Sequence, residues 1–265
     1  MYPKDVKRLN IPYLPLNVQQ EIADILDSFT GLIESLEREI DVTRTLYAVK
    51  RDQIIQETLR EYGATHFPDV AKFSIGLSYR KDQEVERDGV EEYKGIPVLR
   101  ANNIELASNS LKFEDIVRIK KDTDLKEGKI LRKDDILVCA GSGSKNHIGK
   151  VAYSYEDTEY VIGGFMGVVR TTDKILPRFM FHILTSKLFR DFLDDEIEAT
   201  TINHISIKLI NRFQVPLPSL DVQEQIVEEL DSLFNALEDK EEELKLRKKQ
   251  YSYTLDRLFD FPRFN

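Results

Sequence analysis

The sequence predicts an α+β protein: one mainly β domain flanked by two long helices that pair as an antiparallel coiled coil. Three observations predict this. The two ends of the chain repeat each other. Apolar residues in both copies advance by about 3.5 residues per step, the period of a coiled-coil seam. The stretch between them alternates short β-like runs with turns.

The repeat appears when the sequence is slid on itself by 204 positions, which sets residues 4–55 against 208–259. Fifteen of the 52 positions are identical: Lys4, Arg8, Pro12, Leu16, Val18, Gln19, Ile22, Leu26, Asp27, Ser28, Glu34, Glu37, Glu39, Tyr47 and Asp52. Chance gives about three, and two widely spaced copies do not make a solenoid. They read as two equivalent struts around one domain. The expected organisation is a lead remnant over 1–17, a first long helix over 18–61, the β-rich domain over 62–212, and a second lead and long helix over 213–265.

Each copy is a Pro-containing lead followed by a helix. Asn17 and Asp221 are the expected N-caps, with Gln20 and Glu224 three positions on as a variant of the capping box. The first seam runs through Ile22, Leu26, Phe29, Ile33, Leu36, Ile40, Tyr47 and Ile54. The second runs through Ile226, Leu230, Leu233, Leu237, Leu244, Tyr251 and Leu258. A helix over 18–59 is about 63 Å long at 1.5 Å per residue. A small domain cannot cover so long a stripe, so the other copy is the expected partner; the alternative is two amphipathic helices packed separately on a globular core. In the middle, β-like runs fall at Ile96–Leu99, Ile116–Ile119, Asp135–Ala140, Lys150–Tyr155, Tyr160–Ile162 and Phe165–Arg170, followed by helical stretches at 177–194 and 201–210.

Composition narrows the function. The 265 residues carry 38 Lys/Arg and 47 Asp/Glu, a net charge of −9, which argues against a generic polycation for nucleic acid. The acid is concentrated in the flanks: residues 62–212 hold a net −1. No carboxylate lies between Asp135 and Glu156. The one cysteine, Cys139, excludes a disulfide framework and a thiolate-clustered metal site. No run approaches the length of a membrane span. The opening Met1-Tyr2-Pro3-Lys4-Asp5 lacks an apolar leader core, so a cytoplasmic chain is expected.

Catalytic motifs are absent. Gly141-Ser-Gly-Ser-Lys-Asn-His-Ile-Gly149-Lys150 invites a phosphate-loop reading, but Ser144 stands where that spacing needs Gly, and no Ser or Thr follows Lys150. A hairpin loop explains its glycines. The loop is also free of acid and carries Ser142, Ser144, Lys145, Asn146 and His147, with Lys150 at its end. These types donate to phosphates and base edges, so DNA contact and a plain turn both fit. Asp69 with Glu92 and Lys94 has the residue types of a magnesium nuclease, but Glu92 lies in a hydrophilic run, not on a rigid apolar strand. His66, His147, His182 and His204 have no metal-like spacing. Cys139 reads as a buried small residue because no basic partner adjoins it. The expectation is no catalytic residue, no metal and no cofactor.

Taken in order, several segments resemble the specificity subunit of type I restriction-modification systems. They are Gly95-Ile-Pro-Val-Leu-Arg-Ala-Asn-Asn-Ile104, Asp135-Ile-Leu-Val, Ile148-Gly149-Lys150, Thr201-Ile-Asn-His-Ile205 and Pro216-Leu-Pro-Ser-Leu-Asp-Val-Gln-Glu-Gln225. The middle domain is similar to a target recognition domain. The resemblance implies a non-enzymatic subunit that reads double-stranded DNA. In that family two recognition domains each read half of a bipartite site, and paired helices hold them apart. Methyltransferase subunits dock on the helices and act with a nuclease-translocase subunit. Arg100 and Asn102 join Ser142, Ser144, Lys145, Asn146, His147 and Lys150 as the expected DNA contacts.

The family order is domain, helix, domain, helix, whereas here it is helix, domain, helix, so one half-site is expected per chain. Leu9, Tyr13, Leu258, Phe259, Phe261 and Phe264 would lack cover at the helix ends, and a homodimer is expected there, the alternative being pairing with a different half-subunit. The alternative class is a coiled-coil adaptor that never touches DNA.

Overall fold

The structure, a computed structural model, describes residues 14–85, 95–105, 108–125, 128–142, 147–198 and 204–259. The elements run α1 (Leu16–Tyr62), β1 (Ala64–His66), β2 (Ala71–Ile75), β3 (Ile96–Leu99), β4 (Val117–Ile119), β5 (Ile136–Cys139), β6 (Val151–Tyr153), β7 (Val161–Ile162), β8 (Met166–Thr171), α2 (Pro177–Thr185), α3 (Lys187–Glu198), α4 (Ile207–Ile210), β9 (Gln214–Pro216) and α5 (Leu220–Leu258). They form two compact units, Met1–Leu46 with Phe234–Asn265, and Tyr47–Leu233.

In the first unit, α1 and α5 pair antiparallel. Leu36, Ile40 and Leu237 are buried together, with Leu244 packed against them. Partner numbers on α5 rise as those on α1 fall: Arg44 pairs with Glu241, Glu37 with Lys248, and the Phe29 ring lies 6.2 Å from that of Tyr251. The ion pairs are partly exposed and contribute about 0–1 kcal/mol each, so they fix register more than stability. The seam supplies the adhesion, because burying an apolar side chain is worth about 1.5–3 kcal/mol.

The helix starts lie two residues ahead of the sequence expectation. Both helices begin at Leu, at Leu16 and Leu220, so Asn17 and Asp221 lie in the first turn. The Pro15 carbonyl accepts from Val18 N and Gln19 N, and the Ser219 carbonyl from Gln223 N. Gln20 turns to Asp24 Oδ1, not back to a cap.

In the second unit, β2-β8-β5-β6 form an antiparallel sheet. β3 pairs antiparallel with β4 and parallel with β7. The pair β1–β9 closes the unit near the ends of the long helices. Every residue of β5 is buried, as expected for a central strand covered on both faces. Leu99, Leu131, Leu137, Ile162 and Met166 belong to the core between the sheets. The helical stretch expected over 177–194 is two helices. Ser186 separates them, its hydroxyl and backbone N–H both returning to the Ile183 carbonyl. The stretch expected at 201–210 is reduced to α4, capped by the Ser206 side chain, and residues 199–203 lie outside the described residues.

Within this unit a polar network ties α2 and α3 to the long helices. Asp231 on α5 receives the guanidinium of Arg178 and, at 2.9 Å, Nε2 of His182. The other imidazole nitrogen, Nδ1, lies 2.9 Å from the hydroxyl of Tyr47 on α1. Arg178 stacks over Tyr153 and Phe181 at 4.7 and 4.6 Å. Asp52 on α1 accepts from Lys187 N at the start of α3, where a carboxylate complements the helix dipole. Gln223, fully buried, accepts from Leu176 N and donates to the carbonyls of Lys174 and Pro218.

Burial drives the His182 pKa down to about 4, against the pull of Asp231. The imidazole is therefore neutral at pH 7, with Nε2–H donating to Asp231 and the Tyr47 hydroxyl donating to Nδ1. For Asp231, burial raises the carboxyl, but hydrogen bonds from His182 and Arg178 outweigh it and the pKa is lowered. The unfolded chain takes up a proton at His182 that the folded chain refuses between pH 6.5 and about 4. Stability therefore falls as pH drops through that window. The expected loss approaches about 3 kcal/mol at its lower end. Urea midpoints between pH 7 and 4.5 check this: wild type falls more steeply than His182→Gln.

Candidate nucleic-acid interface

Three separate stretches of the domain meet around an open cleft of about 650 Å³. The first supplies Ser78, Tyr79, Lys81 and Glu84, the second Arg100, Ala101 and Asn102, and the third Gly163, Gly164 and Phe165; Ser142 borders the same space.

Local chemistry fixes each part. Arg100–Asn103 is a tight turn held by Asn103, which is 2% exposed. Its Oδ1 accepts from Arg100 N, and its Nδ2 donates to the carbonyls of Lys112 and Glu114. The buried amide thus points Asn102 outward, exposed, and sets Arg100 along the cleft wall. Arg100 Nε has no hydrogen-bond partner among the described residues.

The Phe165 turn is held just as firmly. The Phe165 carbonyl accepts from Ala140 N and Gly141 N, both at 2.9 Å, and Gly163 N donates to Leu99 O. Gly76 runs so close behind that a Cβ there would stand 2.0 Å from the Gly163 carbonyl oxygen, so only glycine fits. On this hydrogen-bonded turn Phe165 is 76% exposed. Burial raises the Tyr79 pKa, so its hydroxyl keeps its proton and stays a donor.

Of the residues expected from sequence, Arg100, Asn102 and Ser142 come together here. His147 is half-buried beyond the described end of the loop. Ser144, Lys145 and Asn146 lie outside the described residues. Lys150 departs from expectation: it is 8% exposed, and its Nζ faces the Ile104 carbonyl at 3.5 Å. It immediately precedes β6, whose residues are all buried, so its side chain enters the interior and not the surface that phosphate would need. Gly149 holds the loop's return at φ +79°, where a Cβ would strike Leu193.

Tyr79, Lys81 and Phe165 also line the cleft and were not among the residues expected from sequence. The available signal was Gly163-Gly164-Phe165, a large apolar residue directly after turn glycines. Cys139 is buried, and burial raises its thiol pKa, the opposite of an activated nucleophile. Asp69 takes a long hydrogen bond from Thr65, while Glu92 and Lys94 lie outside the described residues. Among the described residues, no group of three or more His, Cys, Asp or Glu could hold a metal ion.

The cleft offers reading chemistry. Arg pairs with guanine, Asn with adenine, an apolar side chain contacts the thymine methyl, and Lys meets phosphate. A β-rich domain with such a cleft, in a chain whose long helices pair, is the arrangement that the sequence led one to expect. Residues 68–246 match the type I restriction modification DNA specificity domain, and the chain belongs to that family.

Among its relatives, the EcoKI specificity subunit of Escherichia coli K12 is 31% identical over 158 residues, 60% of this chain and 33% of that one. A putative type I specificity subunit of Mycoplasma pneumoniae is 26% identical over 266 residues, covering 97% of this chain and 65% of that one. The crystal structure of the S subunit from M. genitalium superposes with a TM-score of 0.64 at 18% identity, covering 100% of this chain and 66% of that one. That likeness is one of fold. The chain thus spans between a third and two-thirds of the length of these relatives.

Proposed function

We propose that this chain is a non-enzymatic DNA-reading subunit that recognises one half-site through the cleft around Arg100, Asn102, Ser142 and Phe165. One observation carries the proposal: Lys81, Arg100, Asn102, Ser142 and Phe165, of base-reading or phosphate-binding type and from distant parts of the sequence, line one open cleft in the domain matched by the family, with Glu84 as the one carboxylate among the described lining residues. Methyltransferase subunits dock on the outer faces of the long helices, and the nuclease-translocase subunit joins through them. Support for docking comes from apolar side chains on α1 that turn away from the seam, with Leu32 54%, Val42 69% and Leu46 52% exposed. Isolated apolar residues such as Leu32 are ordinary, but Val42 and Leu46 are helical neighbours four residues apart, and adjoining exposed apolar side chains mark an association surface. The work belongs in the cytoplasm, where the DNA is; among the described residues no helix is long and apolar enough to cross a membrane.

A homodimer through the helix ends belongs to the same proposal. It is supported by Phe259, 51% exposed; Leu9, Tyr13, Phe261 and Phe264 lie outside the described residues.

Binding by the chain assembled with a type I methyltransferase subunit tests the cleft. Arg100→Ala should cost about 1–3 kcal/mol on the preferred site and relax discrimination at one base pair. Lys81→Ala should weaken binding on all sequences alike and reduce the salt slope by about one. Unchanged affinity and slope in both variants would remove the cleft from DNA binding.

A further inference from the structure

Glu84 stands out among the described residues that line the cleft, because the others there are cationic, polar or apolar. A carboxylate that faces DNA is repelled by phosphate and is favourable only against a hydrogen-bond donor. Its position is fixed by the main chain. Glu84 bridges antiparallel to Ile119 at the end of β4, and its N–H donates to the Lys81 carbonyl at 3.1 Å. On either side of the bridge, Val85 N donates to Arg118 O and Lys120 N to Gln83 O. The turn before it, Lys81–Gln83, is closed by Arg80 N donating to Gln83 Oε1 at 2.8 Å. Glu84 is half-buried, whereas Lys81 and Asp82 are exposed.

The same strand positions Arg100. Ile119 pairs with Ile96 on its other edge, and β3 ends directly before Arg100. The two opposite charges act on one hydroxyl between them, that of Tyr79: burial raises its pKa most, Arg100 lowers it and Glu84 raises it. A protonated hydroxyl so placed can donate to one Glu84 oxygen and leave the other for a ligand. The cleft therefore presents a cationic fork and an anionic acceptor side by side.

DNA offers few donors to such an acceptor. In the major groove they are the N4 amine of cytosine and the N6 amine of adenine. Adenine N6 lies beside the acceptor N7, which repels a second carboxylate oxygen and suits a side-chain amide instead; Asn102 supplies one in this cleft. Cytosine N4 lies beside guanine O6 of the same pair, and O6 with N7 is the acceptor pair that an Arg fork takes. A thymine or guanine in place of that cytosine would set O4 or O6 against the carboxylate, and an unpaired charge of this kind rejects the wrong base.

We infer that Arg100 and Glu84 together read one G·C pair of the half-site, Arg100 donating to guanine O6 and N7 and Glu84 accepting from cytosine N4 in the major groove. The inference rests on the cleft being the DNA reader and goes beyond that reading by naming a base pair and the residue that rejects its competitors. Glu84 weakens binding to DNA in general and discriminates at one position. Lys81 strengthens binding to all sequences alike and discriminates at none.

The test selects bound duplexes from a randomised pool with the full chain assembled with a type I methyltransferase subunit. Wild type should retain a G·C pair at a fixed position. Glu84→Gln should relax that position by about tenfold, the scale of one mismatched pair. It should also bind non-cognate duplex more tightly than wild type, because a charge that phosphate repels is gone. Arg100→Ala should relax the same position. Replacing the selected cytosine by N4-methylcytosine, whose methyl takes the place of the major-groove hydrogen, should weaken wild type about tenfold and leave Glu84→Ala unaffected. The hydrogen bonds that fix the Glu84 backbone survive these substitutions, and far-UV circular dichroism verifies folding. Weaker binding by Lys81→Ala with unchanged base preference in Glu84→Gln would overturn Glu84 as a reader and leave the cleft standing. Relaxation of different positions by Glu84→Gln and Arg100→Ala would overturn the shared pair. Unchanged binding and preference in Lys81→Ala, Arg100→Ala and Glu84→Gln alike would overturn the cleft itself, and the inference with it.

Discussion

Asp231→Ala is expected to lower the stability of the unit Tyr47–Leu233 by about 3–5 kcal/mol, the usual cost of removing one partner from a buried charged network. The Arg178 side chain it pairs with is 13% exposed and that of His182 is wholly buried. Without the carboxylate, a guanidinium sits uncompensated among Tyr153, Phe181 and the imidazole. Stacking on those rings remains, which keeps the loss from being larger. Asp231→Asn retains an acceptor for His182 while losing the charge, so it should fall between wild type and Asp231→Ala. Urea unfolding at pH 7 ranks the three, and equal stability of all three would show that the network carries no net energy.

Leu237→Pro is the second large effect, at about 3 kcal/mol or more. Leu237 is 3% exposed and packs with Leu36 and Ile40 on the other helix. Proline removes a backbone hydrogen bond in the interior of α5 and clashes with the preceding turn, and the seam loses a central residue as well. The expected results are lower helicity by far-UV circular dichroism, a lower melting temperature and loss of methyltransferase docking. Leu36→Pro should behave alike, because it strikes the same cluster from α1. Unchanged helicity and melting would contradict a coiled coil stabilised by that seam.

The long helices were legible because their signal is long and periodic. Leu36, Ile40 and Leu237 occupy the seam that the spacing of four and three assigns. The strands of the two larger sheets were mostly legible too, since Ile96–Leu99, Ile136–Cys139 and the Met166–Val169 part of β8 are continuous apolar or glycine-containing runs close to turn residues. β1 and β9 were not, because each has only three residues and becomes a strand through a partner far along the chain. β2 was missed for a related reason: Lys72 faces solvent between buried Ala71 and Phe73, and so short an alternation is easily taken for a turn.

The cleft was half legible. Arg100, Asn102 and Ser142 carry recognisable chemistry, whereas Lys81 and Phe165 gain theirs only from where the chain brings them. Lys150 shows the converse: a basic residue beside a glycine loop looked like a phosphate contact, yet the strand that follows draws it inside.

The most direct measurement is the methylated DNA site in cells co-expressing this chain with a type I methyltransferase subunit, mapped by single-molecule sequencing for wild type and for Arg100→Ala with Asn102→Ala. The cleft as reader predicts a defined site for wild type and relaxed or altered bases in one half-site for the variant, with methylation still present. A variant that methylates the identical site with undiminished selectivity would contradict it, because base discrimination would then reside outside this cleft.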